Sequence, residues 1–231
     1  MQPIAHIETP YATKFGVPRQ AGIVDCPCRI VFEPDFRIAE AVRGLEGFDY
    51  IWLIWHFSQT ERKEWSPTVR PPRLGGNQHV GVFATRSPFR PNALGLSSVK
   101  LDHIEYDSKQ GPILIVSGAD LMDKTPIFDI KPYLPYTDSH PEARSGFATQ
   151  PAERLLEVVC DETLLDTIPP HFRAGLLDTL AHDPRPQYHN DPERIYGMDF
   201  ASHNIRFFAN GQSVKVISIS PITGDTDPHR S

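Results

Sequence analysis

The chain has 231 residues, of which 39% are apolar, and its formal net charge is −6. That length is enough for one large domain, or for a domain of about 150 residues with a smaller one beside it. No stretch of about 18 uncharged apolar residues occurs, which excludes a membrane-spanning helix, and no basic segment followed by an apolar one opens the chain, so we expect a cytoplasmic protein without a secretory signal.

The first part of the chain is predicted to be rich in strands and loops. The whole chain has 23 prolines, which disfavour helix interiors and central strands. Segments rich in β-branched and aromatic residues predict strands at 4–7, 29–32, 50–56, 79–85, 97–106, 113–118 and 127–130. One helix is predicted from Asp35, as its N-cap, to Val42. Many strands and one helix indicate a closed or curled sheet.

The segment 138–150 lacks periodicity and has the composition of a linker or an arm. After it we predict a strand at 153–159, a helix that opens at Pro169 and Pro170, and a small sheet formed by 194–198, 204–208 and 214–219. The sequence therefore predicts a mainly β domain at 1–148 and a small α+β domain at 149–231. Because about 75 residues are marginally stable alone, the second domain is expected to pack on the first or on another chain.

Several common chemistries find no support in the sequence. Cys26, Cys28 and Cys160 are too few for a disulfide-stapled fold, and no second ligand pair completes a zinc site, so we predict reduced thiols and no metal. No G-x-G-x-x-G follows a strand and no Walker motif is complete, which disfavours an α/β nucleotide-binding fold. No nucleophile elbow is present, which disfavours covalent acyl transfer.

Basic residues dominate the segment 61–92 of this acidic chain. They are Arg62, Lys63, Arg70, Arg73, Arg86 and Arg90, against only Glu61 and Glu64. A loop cluster of one sign favours a polyanion or phosphate partner, and the alternative is a scattered set of solubilising arginines. Prolines stiffen the same segment, which suits the recognition of phosphate or carboxylate by rigidly placed arginines.

A second polar segment, 120–133, carries carboxylates at a predicted strand end. Such groups bind a ribose diol or an amino group, or stabilise a cation. At about 4 Å and an effective dielectric near 20, a carboxylate and a cation attract each other by roughly 4 kcal/mol before desolvation, which is enough to matter for a sulfonium. The alternative is an ordinary turn, since Asp before Lys-Thr-Pro is common in loops.

Three motifs together carry a resemblance to a known family. They are VRPPRLGGN at 69–77, GVFATRSPFRPN at 81–92 and DIKPY at 129–133. The chain resembles the TsaA-like family over residues 3–137, and more weakly at 183–188 and 204–206. Characterised members are S-adenosylmethionine-dependent tRNA methyltransferases that methylate N6 of threonylcarbamoyladenosine at position 37 of the anticodon loop. The resemblance implies a single-sheet β-barrel that binds S-adenosylmethionine, the tRNA anticodon stem-loop as partner, and a homodimer whose second chain helps to form the site.

The same resemblance implies a set of cofactor contacts. They are Pro18, Arg19, Gln20, Ser58, Gln59, Arg86, Leu96, Asp120, Leu121, Met122 and Asp123. Ser58 stands where some relatives have His, which weakens a catalytic role for it; His56 lies on the same strand face. Methyl transfer depends on positioning, and the target nitrogen must lose a proton. Asp120, Asp129 and His56 are unranked candidates for accepting it.

The RNA substrate implies further contacts. Arg90 or Lys131 is expected to pair with the threonyl carboxylate, and an aromatic ring to stack on an unpaired base. The candidates for stacking are Tyr133, Tyr136, Phe89 and Tyr188, each with burial as the alternative role. Two other functions stay open at this point: a non-enzymatic RNA-binding or regulatory protein on the same barrel, and a hydrolase of nucleotide-like substrates, which the absent metal and nucleophile motifs disfavour.

Overall fold

The structure of the protein is a computed structural model that describes residues 1–59, 65–148, 155–185, 191 and 193–222, apart from the side chain of Arg73. Arg62, Lys63 and Tyr188, three of the residues singled out in the sequence, lie outside this range. Within the described residues, no helix is both long and apolar enough to span a bilayer.

The described chain contains twelve strands and three short α-helices. The strands are β1 (Ala5–Glu8), β2 (Pro27–Phe32), β3 (Tyr50–His56), β4 (Thr68–Val69), β5 (Val80–Gly81), β6 (Leu94–Asp107), β7 (Gly111–Ser117), β8 (Thr125–Pro132), β9 (Glu157–Val159), β10 (Tyr196–Phe200), β11 (His203–Ala209) and β12 (Ser213–Pro221). The helices are α1 (Pro135–Asp138), α2 (Glu162–Leu165) and α3 (Pro170–Ala181).

Six antiparallel strands close into a barrel in the order β1-β2-β7-β6-β3-β8. The short strand β1 closes it, because Ala5 pairs with Phe32 of β2 on one side and with Ile127 of β8 on the other. Closure leaves no unpaired sheet edge, so every strand is hydrogen-bonded on both sides. This arrangement confirms the predicted mainly β fold with a single-sheet barrel.

Strand β3 shows how the sequence fills the barrel. Ile51, Leu53 and Trp55 are at most 7% exposed and point inward, whereas Tyr50, on the alternate face, is 45% exposed. Side chains of a strand alternate between the two faces of a sheet, so one strand supplies both core residues and surface residues. The apolar run that predicted this strand therefore also builds the outer wall of the barrel.

Two predicted elements were wrong. The segment 79–85 is not a continuous strand: β5 ends at Gly81 and a 3-10 turn, Val82–Ala84, follows, closed by a 3.1 Å hydrogen bond from the Thr85 amide to the Val82 carbonyl. The predicted helix from Asp35 to Val42 is two separate 3-10 turns, Pro34–Phe36 and Ala39–Val42. Ile38 between them is extended, with φ −111° and ψ 114°, which prevents a continuous helix.

A second sheet follows the barrel, with the strand order β10-β11-β12-β9. Helix α3 begins after Pro169, as predicted, and buries Leu176 and Leu180 against this sheet. The same core takes in Tyr11, Val24 and Cys26 from the N-terminal segment. The loops that precede β2 are therefore held between the barrel and the second sheet.

Candidate functional site

A cavity of about 250 Å³ opens where β3 ends and β8 begins. These two strands are antiparallel neighbours in the barrel, so the residues after one and before the other meet at the same end. The lining residues are Lys14, Val17, Pro18, Trp55, His56, Phe57, Ser58, Gln59, Pro88, Asp120, Met122 and Thr125. Four separate segments of the chain therefore converge on one small pocket.

The cavity brings together many of the residues that the resemblance implied. Pro18, Ser58, Gln59, Asp120 and Met122 all line it, together with His56. The lining residues that sequence reasoning missed are Lys14, Val17, Trp55, Phe57, Pro88 and Thr125. Of these, Trp55 and Phe57 belong to an apolar run, which predicts a buried strand but does not show which of its aromatic rings line a pocket.

Asp120 is the acidic residue of the cavity lining, which also contains Lys14. Its Oδ1 accepts a 2.5 Å hydrogen bond from the hydroxyl of Ser97, which in turn accepts a 3.0 Å bond from the indole nitrogen of Trp55. Burial raises the pKa of Asp120, while the Ser97 hydrogen bond and the positive charge of Arg86 act to lower it. The site thus holds a largely desolvated carboxyl group beside aromatic rings, an arrangement that favours a cationic ligand.

Arg86 and Gln20 connect two loops beside the cavity, since Nη1 of Arg86 donates to Oε1 of Gln20. Arg19 points elsewhere: its Nη2 donates to the carbonyl oxygens of Asp183 (3.1 Å) and Arg185 (3.0 Å) in the second part of the chain. Within the segment 18–20, Pro18 therefore lines the cavity, whereas Arg19 and Gln20 anchor the loop that carries it.

Leu121 and Asp123 do not line the cavity. The Leu121 side chain is 1% exposed within the barrel core. Oδ1 of Asp123 accepts a 3.0 Å hydrogen bond from the amide of Thr9, and the Asp123 amide donates to the Tyr11 carbonyl. Both residues hold the loop that presents Asp120 and Met122.

Leu96, Lys131 and Tyr133 lie on the outer face of the barrel. Leu96 pairs with Ile54 across β3 and β6 and is 59% exposed. Lys131 makes a 2.9 Å ion pair with Asp129, and the ring of Tyr133 packs 5.6 Å from that of Trp52. The structure therefore separates the implied site residues into a cavity group and an outer-face group.

The remaining implied residues belong to loops. Nη1 of Arg90 donates to the carbonyl oxygens of Thr85 (2.7 Å) and Val82 (3.3 Å), so this guanidinium stabilises its own loop. Phe89 is half-buried and its amide donates to the Ser87 hydroxyl, whereas Tyr136 is 87% exposed.

The fold and the site together define a β-barrel protein with a ligand cavity at one end of the barrel and a basic loop beside it. The chain belongs to the tRNA-methyltransferase O family: the family's N-terminal domain matches residues 6–139 and its C-terminal domain matches residues 155–222. This membership confirms the family that the three motifs predicted.

Similar proteins cover between 70% and 94% of the chain. The tRNA (adenine(37)-N6)-methyltransferase of Escherichia coli is 39% identical over 94% of this chain and 96% of its own length. The protein of the same name from Eikenella corrodens is 46% identical over 70% of this chain and 90% of its own. The crystal structure of TrmO from Pseudomonas aeruginosa superposes with a TM-score of 0.75 at 29% identity, covering 94% of this chain and 97% of that one.

Proposed function

We propose that the protein transfers a methyl group from S-adenosylmethionine to N6 of adenosine 37 in tRNA, and that this adenosine carries a threonylcarbamoyl group. The proposal is carried by the desolvated carboxyl group of Asp120 in an aromatic-lined cavity, in a chain that is 39% identical to the Escherichia coli enzyme. The reaction takes place in the cytoplasm, where tRNA is modified.

The cavity suits the chemistry of this cofactor. S-adenosylmethionine, when bound, supplies a methyl group on a positively charged sulfur. The Asp120 carboxylate attracts such a charge by roughly 4 kcal/mol at about 4 Å and an effective dielectric near 20. Trp55 and Phe57, whose ring centroids are 4.2 Å apart, present aromatic faces that also attract a cation. Pro18, Ser58, Gln59 and Met122 surround the remaining ligand atoms.

The target nitrogen must lose a proton as it attacks. Of the three candidates for accepting it, His56 and Asp120 line the cavity, whereas the carboxylate of Asp129 is already engaged in a 2.9 Å ion pair with Lys131. Because Asp120 faces the cationic sulfur, we assign the proton-accepting role to His56, whose imidazole is a common general base.

We also propose that the protein acts as a homodimer whose partner completes the site. The cavity of about 250 Å³ is smaller than the roughly 300–1,000 Å³ of pockets that enclose a small organic ligand. Leu96, Lys131 and Tyr133 lie on the outer face instead of the cavity. In a dimer that covers this face, the same residues meet the partner's cavity, which accounts for both observations.

The dimer is tested by light scattering on Leu96→Glu, which places a charge on the outer face. The expected result is a monomer with reduced methylation. Ile38→Glu is the matched control, because Ile38 is 52% exposed and belongs to the segment between two 3-10 turns instead of to β3, β6 or β8. A wild-type monomer, or a dimer that persists in Leu96→Glu, contradicts the proposal.

The activity is tested by mass spectrometry of tRNA nucleosides after incubation with the protein and S-adenosylmethionine. The expected product is N6-methylated threonylcarbamoyladenosine, formed only with cofactor and from tRNA that carries the threonylcarbamoyl group. If tRNA without that group is methylated as well, the threonylcarbamoyl group is not required and the substrate is unmodified adenosine 37. A non-enzymatic RNA-binding protein yields no product at all, and that result overturns the proposal.

A further inference from the structure

Two aromatic side chains outside the cavity, Trp65 and Phe83, lie side by side at the surface. Their ring centroids are 6.2 Å apart, their planes are 27° from parallel, and the residues are 51% and 72% exposed. Aromatic side chains normally stabilise a fold by being buried, so an exposed stacked pair marks an interaction site.

The backbone beneath this pair is firmly held. One residue beyond the β4–β5 ladder, the amide of Val82 donates a 2.9 Å hydrogen bond to the carbonyl of Pro67. The Val82 side chain is 1% exposed, so it anchors the turn that presents Phe83. Nη1 of Arg90 also donates to the carbonyls of Thr85 and Val82. The ring of Phe83 is therefore exposed on a rigid base.

Positive charge lies near the pair. Glu64 directly precedes Trp65, but the sequence from 65 to 101 contains no Asp or Glu, although the chain has a net charge of −6. The guanidinium of Arg90 lies 5.9 Å from the centroid of the Phe83 ring. Nε of Arg70 donates a 2.8 Å hydrogen bond to Nε2 of His79, which fixes a second guanidinium at the other end of the β4–β5 ladder. Aromatic faces flanked by cations are the means by which proteins bind unpaired bases and the phosphates that join them.

We propose that Trp65 and Phe83 form a stacking platform for an unpaired base beside the target adenosine of the anticodon loop. This inference rests on the proposed function and adds to it a site for RNA outside the cavity. The loop that presents Phe83 continues through Thr85 and Ser87 to Pro88, which lines the cavity, and its turns are joined by hydrogen bonds. One rigid loop thus places the platform and the cavity within reach of a single RNA loop.

The first test measures the affinity of an end-labelled anticodon stem-loop RNA by fluorescence anisotropy. Phe83→Ala is expected to weaken binding by about 10-fold, because one base loses its stacking partner. Phe83→Tyr is expected to bind as the wild type does, since a phenol ring also stacks. The matched control is Tyr106→Ala, which removes a ring that is 60% exposed beside Glu46. Unchanged affinity in Phe83→Ala overturns the platform.

The second test separates stacking from electrostatic attraction. Phe83→Ala removes no phosphate contact, so the slope of log affinity against log salt is expected to stay at the wild-type value. Arg70→Ala is expected to reduce that slope by about 0.7, the contribution of one phosphate on single-stranded RNA. A reduced slope in Phe83→Ala contradicts the proposal, because the ring then acts by placing a cation.

The third test replaces the loop bases by abasic residues, one at a time. At one position the replacement is expected to weaken wild-type binding and to leave Phe83→Ala unaffected, since coupled partners are not additive. If the loss of RNA affinity caused by Phe83→Ala and the loss caused by the abasic residue are additive at every position, the proposed platform is wrong. Calorimetry with S-adenosylmethionine on each variant is expected to match the wild type, which shows that the cavity is intact.

The platform and the activity can fail separately. If the wild type methylates tRNA and Phe83→Ala binds RNA normally, the platform is wrong and the activity stands. If the wild type yields no product while Phe83→Ala loses RNA affinity, the activity is wrong and the platform stands.

Discussion

Ser97 donates a 2.5 Å hydrogen bond to Oδ1 of Asp120, and the two residues join the barrel wall to the loop that lines the cavity. Ser97 is 2% exposed, and its hydroxyl oxygen also accepts a hydrogen bond from the indole N–H of Trp55. Burial raises the pKa of Asp120, and this hydrogen bond opposes the effect of burial. The hydroxyl therefore helps to keep a poorly hydrated carboxyl group ionised where a cation is expected to bind.

Asp120→Asn is expected to weaken S-adenosylmethionine binding by at least about 10-fold, because the amide carries no charge to attract the sulfonium. The shape of the side chain and its ability to accept from Ser97 are kept. Isothermal titration calorimetry measures the affinity. Binding to the wild type is expected to weaken as the pH falls through the raised pKa of Asp120, and binding to the variant is expected to lack that dependence.

The same variant is not expected to lose stability. A carboxyl group whose pKa is raised on folding binds its proton more tightly in the folded state, so it contributes less stability as the pH rises through that pKa. Asparagine avoids this cost, and thermal denaturation at neutral pH is expected to give a melting temperature at or above that of the wild type. A clearly lower value means that the Asp120 carboxylate supports the fold instead of a ligand.

Ser97→Ala is expected to raise the pKa of Asp120 further, since a hydrogen bond to the charged form is lost. The pH at which cofactor binding weakens then moves upward, which calorimetry across a pH series detects. Ser98→Ala is the matched control, because Ser98 is the next residue of β6 and lies on the opposite face, paired with Trp52. Identical pH dependence in the two variants excludes the proposed role of Ser97.

His56→Gln is expected to lower the methylation rate by about 100-fold or more, the usual effect of removing a general base. The affinity for S-adenosylmethionine is expected to change little, because glutamine fills similar space. His103→Gln serves as a control, since His103 is exposed on β6 and contacts Glu105. A parallel fall in cofactor affinity and rate assigns His56 to binding instead of proton transfer.

The barrel could be predicted because its strands obey local rules. The apolar run at 50–56, rich in aromatic and β-branched residues, predicts a strand, and the structure buries Ile51, Leu53 and Trp55 on one of its faces. The break at Ile38 could not be read locally, since the residues around it are compatible with a helix. The packing of the 3-10 turns against the barrel, where Val42 and Leu45 join the core, decides their conformation.

The site could be predicted in part, for a related reason. The motifs identify which loops are involved, and Asp120 and Ser58 do reach the cavity. They do not show where a side chain points. Arg19 bonds to carbonyl groups 164 and 166 positions away, and Leu96 faces outward because Ser97 faces in. Such orientations depend on contacts between distant segments, which a local pattern does not contain.

Arg19→Ala is expected to weaken cofactor binding by about 5-fold, because the loop that carries Pro18 and Gln20 loses its anchor on the second part of the chain. The lost hydrogen bonds are also expected to cost about 1 kcal/mol of unfolding free energy. Gly16, in the same loop, also packs against the second part of the chain: an added Cβ at this position overlaps the side chain of Met198, and the φ of +102° favours glycine. Calorimetry and denaturant unfolding measure the two effects.

Arg37→Ala is the matched control for this anchor. Arg37 also donates to two backbone carbonyls, those of Phe32 (3.0 Å) and Lys109 (3.2 Å), but it lies away from the cavity. A similar loss of stability with unchanged cofactor affinity is expected. If both variants lose affinity equally, the effect is one of general stability and Arg19 has no positioning role.

Gly95→Ala is expected to disable the cavity from inside the barrel. A Cβ at this position overlaps the indole ring of Trp55, which lines the cavity and bonds to Ser97. Overpacking of this kind costs roughly 1–3 kcal/mol, and displacement of the ring also breaks its hydrogen bond to the residue that holds Asp120.

Gly47→Ala is the control, because a Cβ at Gly47 meets nothing within 4 Å. Denaturant unfolding and calorimetry are expected to show lower stability and lost cofactor affinity in Gly95→Ala alone. Normal cofactor affinity in Gly95→Ala contradicts the assignment of Trp55 to the cofactor site, since that ring cannot keep its position beside an added methyl group.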